Sequence, residues 1–194
     1  MEIINDWSSN KSTDLYLTDY YALGREHLYK VRMLNFLKTN NPFGRDNLEG
    51  HFTASSWIVT KDNTRALITH HKKLGLKLQL GGHCDGDSDI LRVALKEAIE
   101  ESGINNIYFS RNIFDIDIHT IPARGKESEH YHYDIRFLFT VENDAMFVLS
   151  PESTKLEWID KNFSCSKCTD GFQRMFKKWK DLDIDNFVFE SLSK

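Results

Sequence analysis

Three glutamates, Glu97, Glu100 and Glu101, follow one another at a spacing of i, i+3 and i+4. On a helix, this spacing places all three carboxylates on one face. Three like charges on one short face repel each other, and a divalent cation would remove that repulsion. Mg²⁺ and Mn²⁺ prefer hard oxygen ligands and often lie between carboxylates and substrate phosphates. The spacing therefore indicates a candidate metal site, although a solvated surface helix tolerates the same pattern.

The residues around the glutamates predict a helix from Ile90 to Glu101 that is preceded by a Gly-rich loop. Asp87 or Ser88 can cap its start, and Gly103 suits the left-handed residue that follows its end. Gly81-Gly82 in the loop allows a close backbone approach, and a helix N-terminus favours anions. Four apolar residues fall on the side opposite the glutamates and predict a buried face: Leu91, Leu95, Ala98 and Ile99.

This stretch resembles the Nudix box, whose pattern is G-x5-E-x7-R-E-U-x-E-E-x-G-U, with U an aliphatic residue. Gly82 matches the first glycine, and the later positions match at the right spacing with Glu97, Ala98, Glu100, Glu101, Gly103 and Ile104. Ser88 stands where the first glutamate belongs, and Lys96 stands where the arginine belongs. Lys96 keeps the charge but loses the bidentate fork of arginine. The two departures concern the geometry of the metal site more than the fold.

The resemblance to Nudix hydrolases implies an activity and a fold. The implied reaction is Mg²⁺-dependent (or Mn²⁺-dependent) hydrolysis of the pyrophosphate bond of a nucleoside diphosphate linked to another moiety. The implied metal ligands, which also act in catalysis, are Glu97, Glu100, Glu101 and the carbonyl of Gly82. The implied fold is an α/β/α sandwich with a mixed β-sheet, over roughly residues 50–180.

Other ionisable residues are candidates for catalysis or substrate binding outside the box. Glu127 and Glu129 lie in a predicted polar loop, from which either could act as an acid or base; an ordinary polar loop is an equal alternative. Five further residues are predicted to contact substrate: Lys73, His83, His132, Asp134 and Arg136. His83 could instead be a hydrogen-bonding loop residue, and Lys73 could lie at a solvated hairpin tip.

Two predicted strands each place three ionisable side chains on one face, since side chains alternate with a period of two. One face carries Asp115, Asp117 and His119, and the other carries His132, Asp134 and Arg136. If these strands pair, the six groups line one surface. Helices cover both faces of the sheet in this architecture, so we interpret that surface as a polar pocket rather than a solvated face.

The order of the predicted elements divides the chain into an N-terminal helical extension, residues 1–50, and a Nudix domain, residues 51–194. A helical pattern over 15–37 is interrupted at Gly24, and a last helix is predicted over 170–180. Strands are predicted over 52–60, 65–70, 77–80, 106–109, 114–121, 131–141 and 156–159. The extension could form a cap, part of a pocket wall, or a dimer arm that would make the protein a homodimer.

Composition narrows the class of protein. The chain has 194 residues, 40% of them hydrophobic, and a formal net charge of −4, which does not favour non-specific nucleic-acid binding. No apolar run approaches the roughly 20 residues that span a bilayer. Three cysteines suit a reducing cytosol, so a cytoplasmic location is expected, with Cys165 and Cys168 as free thiols. The expected partner is a small-molecule nucleotide substrate, and the chain is not expected to bind nucleic acid or a membrane.

Two alternatives to the hydrolase remain at this stage. Isopentenyl diphosphate isomerases are Nudix-fold relatives that place Gly-His at the equivalent turn and bind metal through histidine. That class needs further metal-binding residues, for which only His130 and His132 are candidates. The second alternative is a non-catalytic, Nudix-like nucleotide sensor, which the three intact glutamates disfavour and Ser88 mildly favours.

Overall fold

The protein is described here from a computed structural model, which covers residues 4, 6–125, 127–151, 153–166 and 168–192. Its centre is a mixed sheet of eight strands within those residues. The strands are β1 (Gly50–Thr60), β2 (Arg65–His71), β3 (Lys77–Leu78), β4 (Leu80–His83), β5 (Tyr108–Ile121), β6 (His130–Val141), β7 (Ser153–Asp160) and β8 (Glu190–Ser191). The α-helices are α1 (Thr13–Asp19), α2 (Arg25–Phe36), α3 (Ile90–Ser102) and α4 (Asp170–Lys180), and a 3-10 helix follows at Ile184–Asn186.

The strand order explains how distant segments meet at one end of the sheet. The order is β3-β2-β1-β6-β5-β8, with β4 also paired to β1 and β7 to β2. β1 and β6 run parallel, whereas β4 and β5 run antiparallel to their neighbours β1 and β6. The register places His51 beside His132, Thr53 beside both His83 and Asp134, and His132 beside His119.

One face of the sheet packs against α1, α2 and α3, and is called the α3 face below. Its main core includes Phe52, Ala54 and Ile135 from the sheet, which pack with the apolar side of α3. The four α3 residues predicted to be buried are all buried: Leu91, Leu95, Ala98 and Ile99. Burial of this apolar stripe is the main driving force that holds α3 on the sheet.

The opposite face packs against α4 and is called the α4 face. Trp57 and Leu138 from the sheet form a second core with Phe172 and Trp179 of α4. Because side chains alternate along a strand, Thr53 and Ser55 point to this face while Phe52 and Ala54 point to the α3 face. The α4 face is therefore apolar at one end of the sheet and polar at the other.

The segment before β1 packs on the α/β core rather than standing apart from it. Tyr16 and Leu17 of α1 and Met33 and Phe36 of α2 are buried in the main core. The same segment also contacts the loop before α3. There the hydroxyl of Thr13 donates to the carbonyl of Ser88 at 2.9 Å.

Most of the predicted elements are confirmed, and three differ. The predicted Gly-rich loop is in part a strand, because Leu80–His83 forms β4 on β1 and the loop begins only at Cys84. The two strands predicted over 106–121 form one strand, β5, with irregular register between Phe109 and Asp115. Asp89, rather than Asp87 or Ser88, caps α3 by accepting from the N–H of Arg92, whereas Gly103 adopts the predicted left-handed conformation.

The prediction of free thiols at Cys165 and Cys168 is wrong, since the structure joins them in a disulfide. Only two residues lie between the two cysteines along the chain, so their side chains are brought together locally. Among the helices of the described residues, none is both long and apolar enough to cross a membrane.

Candidate active site

The junction of α3 with β4 brings two of the predicted metal ligands onto the Gly-Gly backbone. Glu101 is 7% exposed, and its Oε2 accepts a hydrogen bond from the N–H of Gly81 at 2.8 Å. Gly81 has a φ of 155°, and a Cβ there would lie 2.5 Å from the carbonyl oxygen of Ala54. Only glycine fits at this position, and its exposed N–H orients the Glu101 carboxylate.

At Gly82 the backbone closely approaches the carboxylate of Glu97. A Cβ at Gly82 would lie 2.5 Å from Oε2 of Glu97, closer than any real contact, so the absence of a side chain makes room for Glu97. Glu97 is half-buried, whereas Glu100 is exposed. The three glutamates thus share one side of α3 but differ in burial. Their donors are all hard oxygens, which suit Mg²⁺ or Mn²⁺.

Arg45, which the sequence analysis did not single out, lies beside these carboxylates. Its guanidinium forms a bidentate ion pair with Asp85, in which Nη2 lies 2.8 Å from Oδ2. The hydrogen bond to Asp85 raises the pKa of Arg45 above its ordinary value, and the charges of Glu97 and Glu127 act in the same direction. The charge of Arg45 is therefore linked to carboxylates of both α3 and the loop that follows β5.

The two loop glutamates differ in their relation to this region. Glu127 is exposed, and the backbones of Glu127 and Arg124 exchange two hydrogen bonds of 2.9 and 3.1 Å that close a tight loop. Its charge raises the pKa of Arg45 and opposes the lowering of the pKa of His51. Glu129 is also exposed. The predicted acid–base role of both residues stays a prediction.

A cluster of histidines occupies the α4 face directly behind β4. His51, His83 and His132 each offer a ring nitrogen, and these nitrogens lie within 4.8 Å of one another. His130 lies beside two of them, with ring centroids 5.0 Å from His51 and 5.3 Å from His132. His119 lies 5.4 Å from His132 and forms a hydrogen bond of 3.2 Å with Asp117. These five residues are called the histidine cluster below.

The histidines at the centre of the cluster are neutral at physiological pH. Burial lowers the pKa of His51 to about 4, and the neighbouring His130 adds to the shift. Burial, followed by the charge of Arg45, lowers the pKa of His83 to about 4. Burial and the nearby His83 lower the pKa of His132 to about 2. Neutral imidazole is the form that binds metal ions or accepts a proton.

Asp134 and Arg136, predicted to contact substrate, lie in a buried ion network instead. The two strands that carry these groups, β5 and β6, pair with each other, with Asp115 beside Arg136 and Asp117 beside Asp134. The guanidinium of Arg136 lies 2.6 Å from Asp134, 2.8 Å from Asp115 and 3.2 Å from Asp117.

The network is enclosed by α4, so it forms part of the core rather than the predicted polar pocket. Arg174 adds an ion pair of 2.8 Å to Asp115. The side chains of Arg136 and Asp134 are only 2% and 3% exposed. This burial does not favour the predicted contact of these two residues with substrate.

The remaining predicted contact is Lys73, which is exposed in the turn between β2 and β3. Sequence analysis missed Arg45, Asp85 and His51. Arg45 and Asp85 are 40 residues apart and meet only through the fold. For His51 one signal was present, since the polar residues His51, Thr53 and Ser55 alternate with apolar ones along a predicted strand.

Comparison with solved structures identifies the fold. The chain is similar to the MutT protein from Methanosarcina mazei Go1, with a TM-score of 0.52, 15% identity, and coverage of 68% of this chain and 94% of that one. It is also similar to the dihydroneopterin triphosphate pyrophosphohydrolase from E. coli, with a TM-score of 0.52, 12% identity, and coverage of 69% and 95%. A MutT Nudix hydrolase from Burkholderia pseudomallei matches with a TM-score of 0.50, 17% identity, and coverage of 66% and 97%.

Sequence comparison adds nothing to this likeness, because no protein-family model matches the chain and no curated protein matches it significantly. At these low identities the structural likeness establishes the fold alone. The chain has the Nudix fold, and the resemblance carried by residues 82–104 is confirmed at that level.

Proposed function

We propose that this chain is a Mg²⁺- or Mn²⁺-dependent Nudix hydrolase that cleaves the pyrophosphate bond of a nucleoside diphosphate linked to another moiety. The observation that carries this proposal is the junction of α3 and β4, where Glu97 and Glu101 lie against the backbone of Gly82 and Gly81. The junction occurs in a fold shared with proteins named as Nudix hydrolases and as a pyrophosphohydrolase.

The residues present fit a hard divalent cation. Glu97, Glu101 and Glu100 would hold it, together with the carbonyl of Gly82. When bound, such a cation neutralises charge on the phosphates and acidifies an attacking water. The N–H of Gly81 holds the Glu101 carboxylate in a fixed orientation, which lowers the entropy lost when Glu101 acts as a ligand. Ser88 cannot replace the carboxylate of the family pattern, so the other glutamates carry a larger share of metal binding.

Two further groups of the chain have roles in this proposal. Arg45 presents a guanidinium that remains charged at any physiological pH. It would bind and orient a phosphate of the substrate while Asp85 fixes its position. Glu127 lies in the loop that follows β5, and its carboxylate would take the proton from the attacking water. The water oxygen would form a bond to one phosphorus while the bond from that phosphorus to the bridging oxygen breaks. The other phosphate would leave with the bridging oxygen, so that both products are phosphate monoesters.

The first experiment is a phosphate-release screen with Mg²⁺ and with Mn²⁺. It would include ADP-ribose, a sugar nucleotide, a dinucleoside polyphosphate, coenzyme A, NADH and an oxidised dNTP. We expect turnover of at least one of these compounds. If none is hydrolysed although one binds, the chain is a nucleotide sensor and the proposal is wrong.

The second experiment compares glutamine variants of the glutamates, because glutamine keeps the size and removes the charge. We expect Glu101→Gln to lower kcat by at least about 10²-fold, equivalent to about 2.7 kcal/mol of barrier. Glu100→Gln tests whether an exposed carboxylate contributes as strongly as a buried one. Glu142→Gln is the matched control, because Glu142 lies in an exposed ion pair with Lys61. Near-normal turnover of Glu101→Gln at limiting Mg²⁺ would contradict the assignment.

A further inference from the structure

The central histidines of the cluster come from three strands, and the register of the sheet brings them together. His51 lies on β1, His83 on β4 and His132 on β6, with β1 paired to both of the other strands. Their side chains point to the α4 face, whereas Gly82, the neighbour of His83, approaches Glu97 on the α3 face. The histidines and the helix carboxylates therefore lie on opposite sides of β4.

Two of the central histidines, His51 and His132, have buried ring nitrogens without the hydrogen bonds that buried imidazoles usually form. His51 is 3% exposed, and among the residues that the structure describes, none forms a hydrogen bond with either of its ring nitrogens. Within the same described part of the chain, Nε2 of His132 is also buried without a partner. A buried polar group without a partner costs free energy. A ligand that accepts these lone pairs would remove that cost.

The spacing of the nitrogens suits a small cation. An ion with four ligands in a tetrahedron at about 2.1 Å separates its ligand atoms by about 3.4 Å. The three nitrogens lie within 4.8 Å of one another. An ion bound here would draw the nitrogens closer together by rotation of the side chains about χ1 and χ2. Because the donors are imidazole nitrogens, they favour Zn²⁺ and related transition metals over Mg²⁺.

Two neighbouring histidines complete the environment. Nδ1 of His130 donates to the carbonyl of Ser128 at 2.8 Å, which leaves the lone pair of Nε2 for a fourth ligand. His119 forms a hydrogen bond with Asp117 and lies beside His132, with the ring centroids 5.4 Å apart. The carboxylates of Asp85 and Glu127 act on His51 through their charge and would offset part of the charge of a cation.

We propose that His51, His83 and His132 form a Zn²⁺ site on the α4 face, with the fourth position taken by His130 or water. This site is separate from the carboxylates of α3 and does not rest on the proposed hydrolysis. A chain that binds Zn²⁺ through these histidines but hydrolyses no substrate would support this site and contradict the proposed function.

The test uses the full chain without a polyhistidine tag, after treatment with a chelator. Co²⁺ titration followed by visible absorption reports nitrogen ligands in a tetrahedral field, and calorimetry gives the Zn²⁺ stoichiometry. We expect one Zn²⁺ per chain and visible Co²⁺ bands that Zn²⁺ removes by competition. Absence of both Zn²⁺ binding and Co²⁺ bands in the unmodified chain would overturn the proposal without any variant.

Substitutions then locate the ion. We expect His51→Ala and His132→Ala each to weaken Zn²⁺ binding by more than about 100-fold, since loss of a residue that only orients a ligand weakens binding by roughly 10–100-fold. His27→Ala is the matched control, because His27 is exposed on α2, and it should bind as the unmodified chain does. His83→Ala carries the test if His51→Ala does not fold, as judged by circular dichroism.

Glu101→Gln distinguishes the two faces of β4. We expect it to leave Zn²⁺ affinity within about threefold of the unmodified chain. If Glu101→Gln abolishes Zn²⁺ binding while the histidine variants retain it, the ion lies at α3 and the histidine site is wrong.

Discussion

The two faces of the sheet at β4 carry different ionisable groups. On the α3 face, Glu97 and Glu101 come from one helix and contact the adjacent backbone of Gly82 and Gly81. On the α4 face, neutral histidines and a buried ion network come from β1, β4, β5, β6 and α4. The carboxylate site of the α3 face is built from a short stretch of sequence, and the histidines and ion network of the α4 face are built from most of the chain.

The difference shows how each face keeps polar groups inside a protein. The α3 face keeps its carboxylates at the edge of an apolar core, where backbone N–H groups and solvent stabilise them. The α4 face buries its charges in ion pairs, which join Arg136, Arg174 and Lys178 to four carboxylates: Glu26, Asp115, Asp117 and Asp134. The α3 face can therefore exchange ligands readily, whereas the ion network of the α4 face is part of the structure.

The strongest test of this contrast is Arg136→Met. The variant keeps most of the side-chain volume but leaves three buried carboxylates short of one positive charge. We expect the free energy of unfolding to fall by about 3–5 kcal/mol, measured by urea denaturation. Arg25→Met, at an exposed position on α2, is the control and should change it by less than about 0.5 kcal/mol. A small effect at Arg136 would mean that the network is not structural.

A second test uses the pH dependence of stability to distinguish the contribution of the histidines from that of the aspartates. The pKa values of His51 and His83 in the fold are about 4, below the value of about 6.5 in the unfolded chain. The unfolded chain therefore binds protons first as pH falls. Between about pH 6.5 and pH 4, each such histidine should lower the free energy of unfolding by up to about 1.4 kcal/mol per pH unit.

The aspartates should affect the free energy of unfolding at lower pH than the histidines do. Burial opposes ionisation of Asp117, but the hydrogen bond from His119 and the charge of Arg136 lower its pKa below the ordinary value. Its stabilising effect is therefore present above the unfolded pKa and is lost only as pH falls below about 4. Urea denaturation from pH 7 to pH 3 checks both windows. His51→Gln should weaken the pH dependence of the free energy of unfolding only between about pH 6.5 and pH 4. An unchanged pH dependence in that range would show that His51 does not cause it.

The smallest expected effect concerns the two departures from the Nudix box. Ser88 is exposed and contributes its carbonyl to a hydrogen bond with Thr13, and Lys96 is exposed on α3. Restoring the family residues in Ser88→Glu with Lys96→Arg should change kcat by less than about tenfold, or 1.4 kcal/mol of barrier. A gain of several orders of magnitude would show that the natural chain is a degenerate member.

The helix and the carboxylates of the α3 face could be predicted from the sequence because their residues are close along the chain. The spacing of the glutamates, the apolar stripe of α3 and the cap at Gly103 all depend on helix geometry, which acts over three or four residues. The same holds for the alternation along β6. These local rules predicted the bounds of α3 to within one residue, and the matching box predicted the Nudix fold.

The α4 face was decided by tertiary structure, because it depends on which strands pair and in which register. His51 and His132 are 81 residues apart and meet only because β1 and β6 run parallel at that register. Arg45 and Asp85 likewise meet through a turn and a loop that no local pattern connects. Burial of Asp134 and Arg136 required α4 to cover them, and the sequence shows only that they alternate with apolar residues. Local periodicity determines an element and its faces, whereas strand register and helix docking determine which side chains share a site.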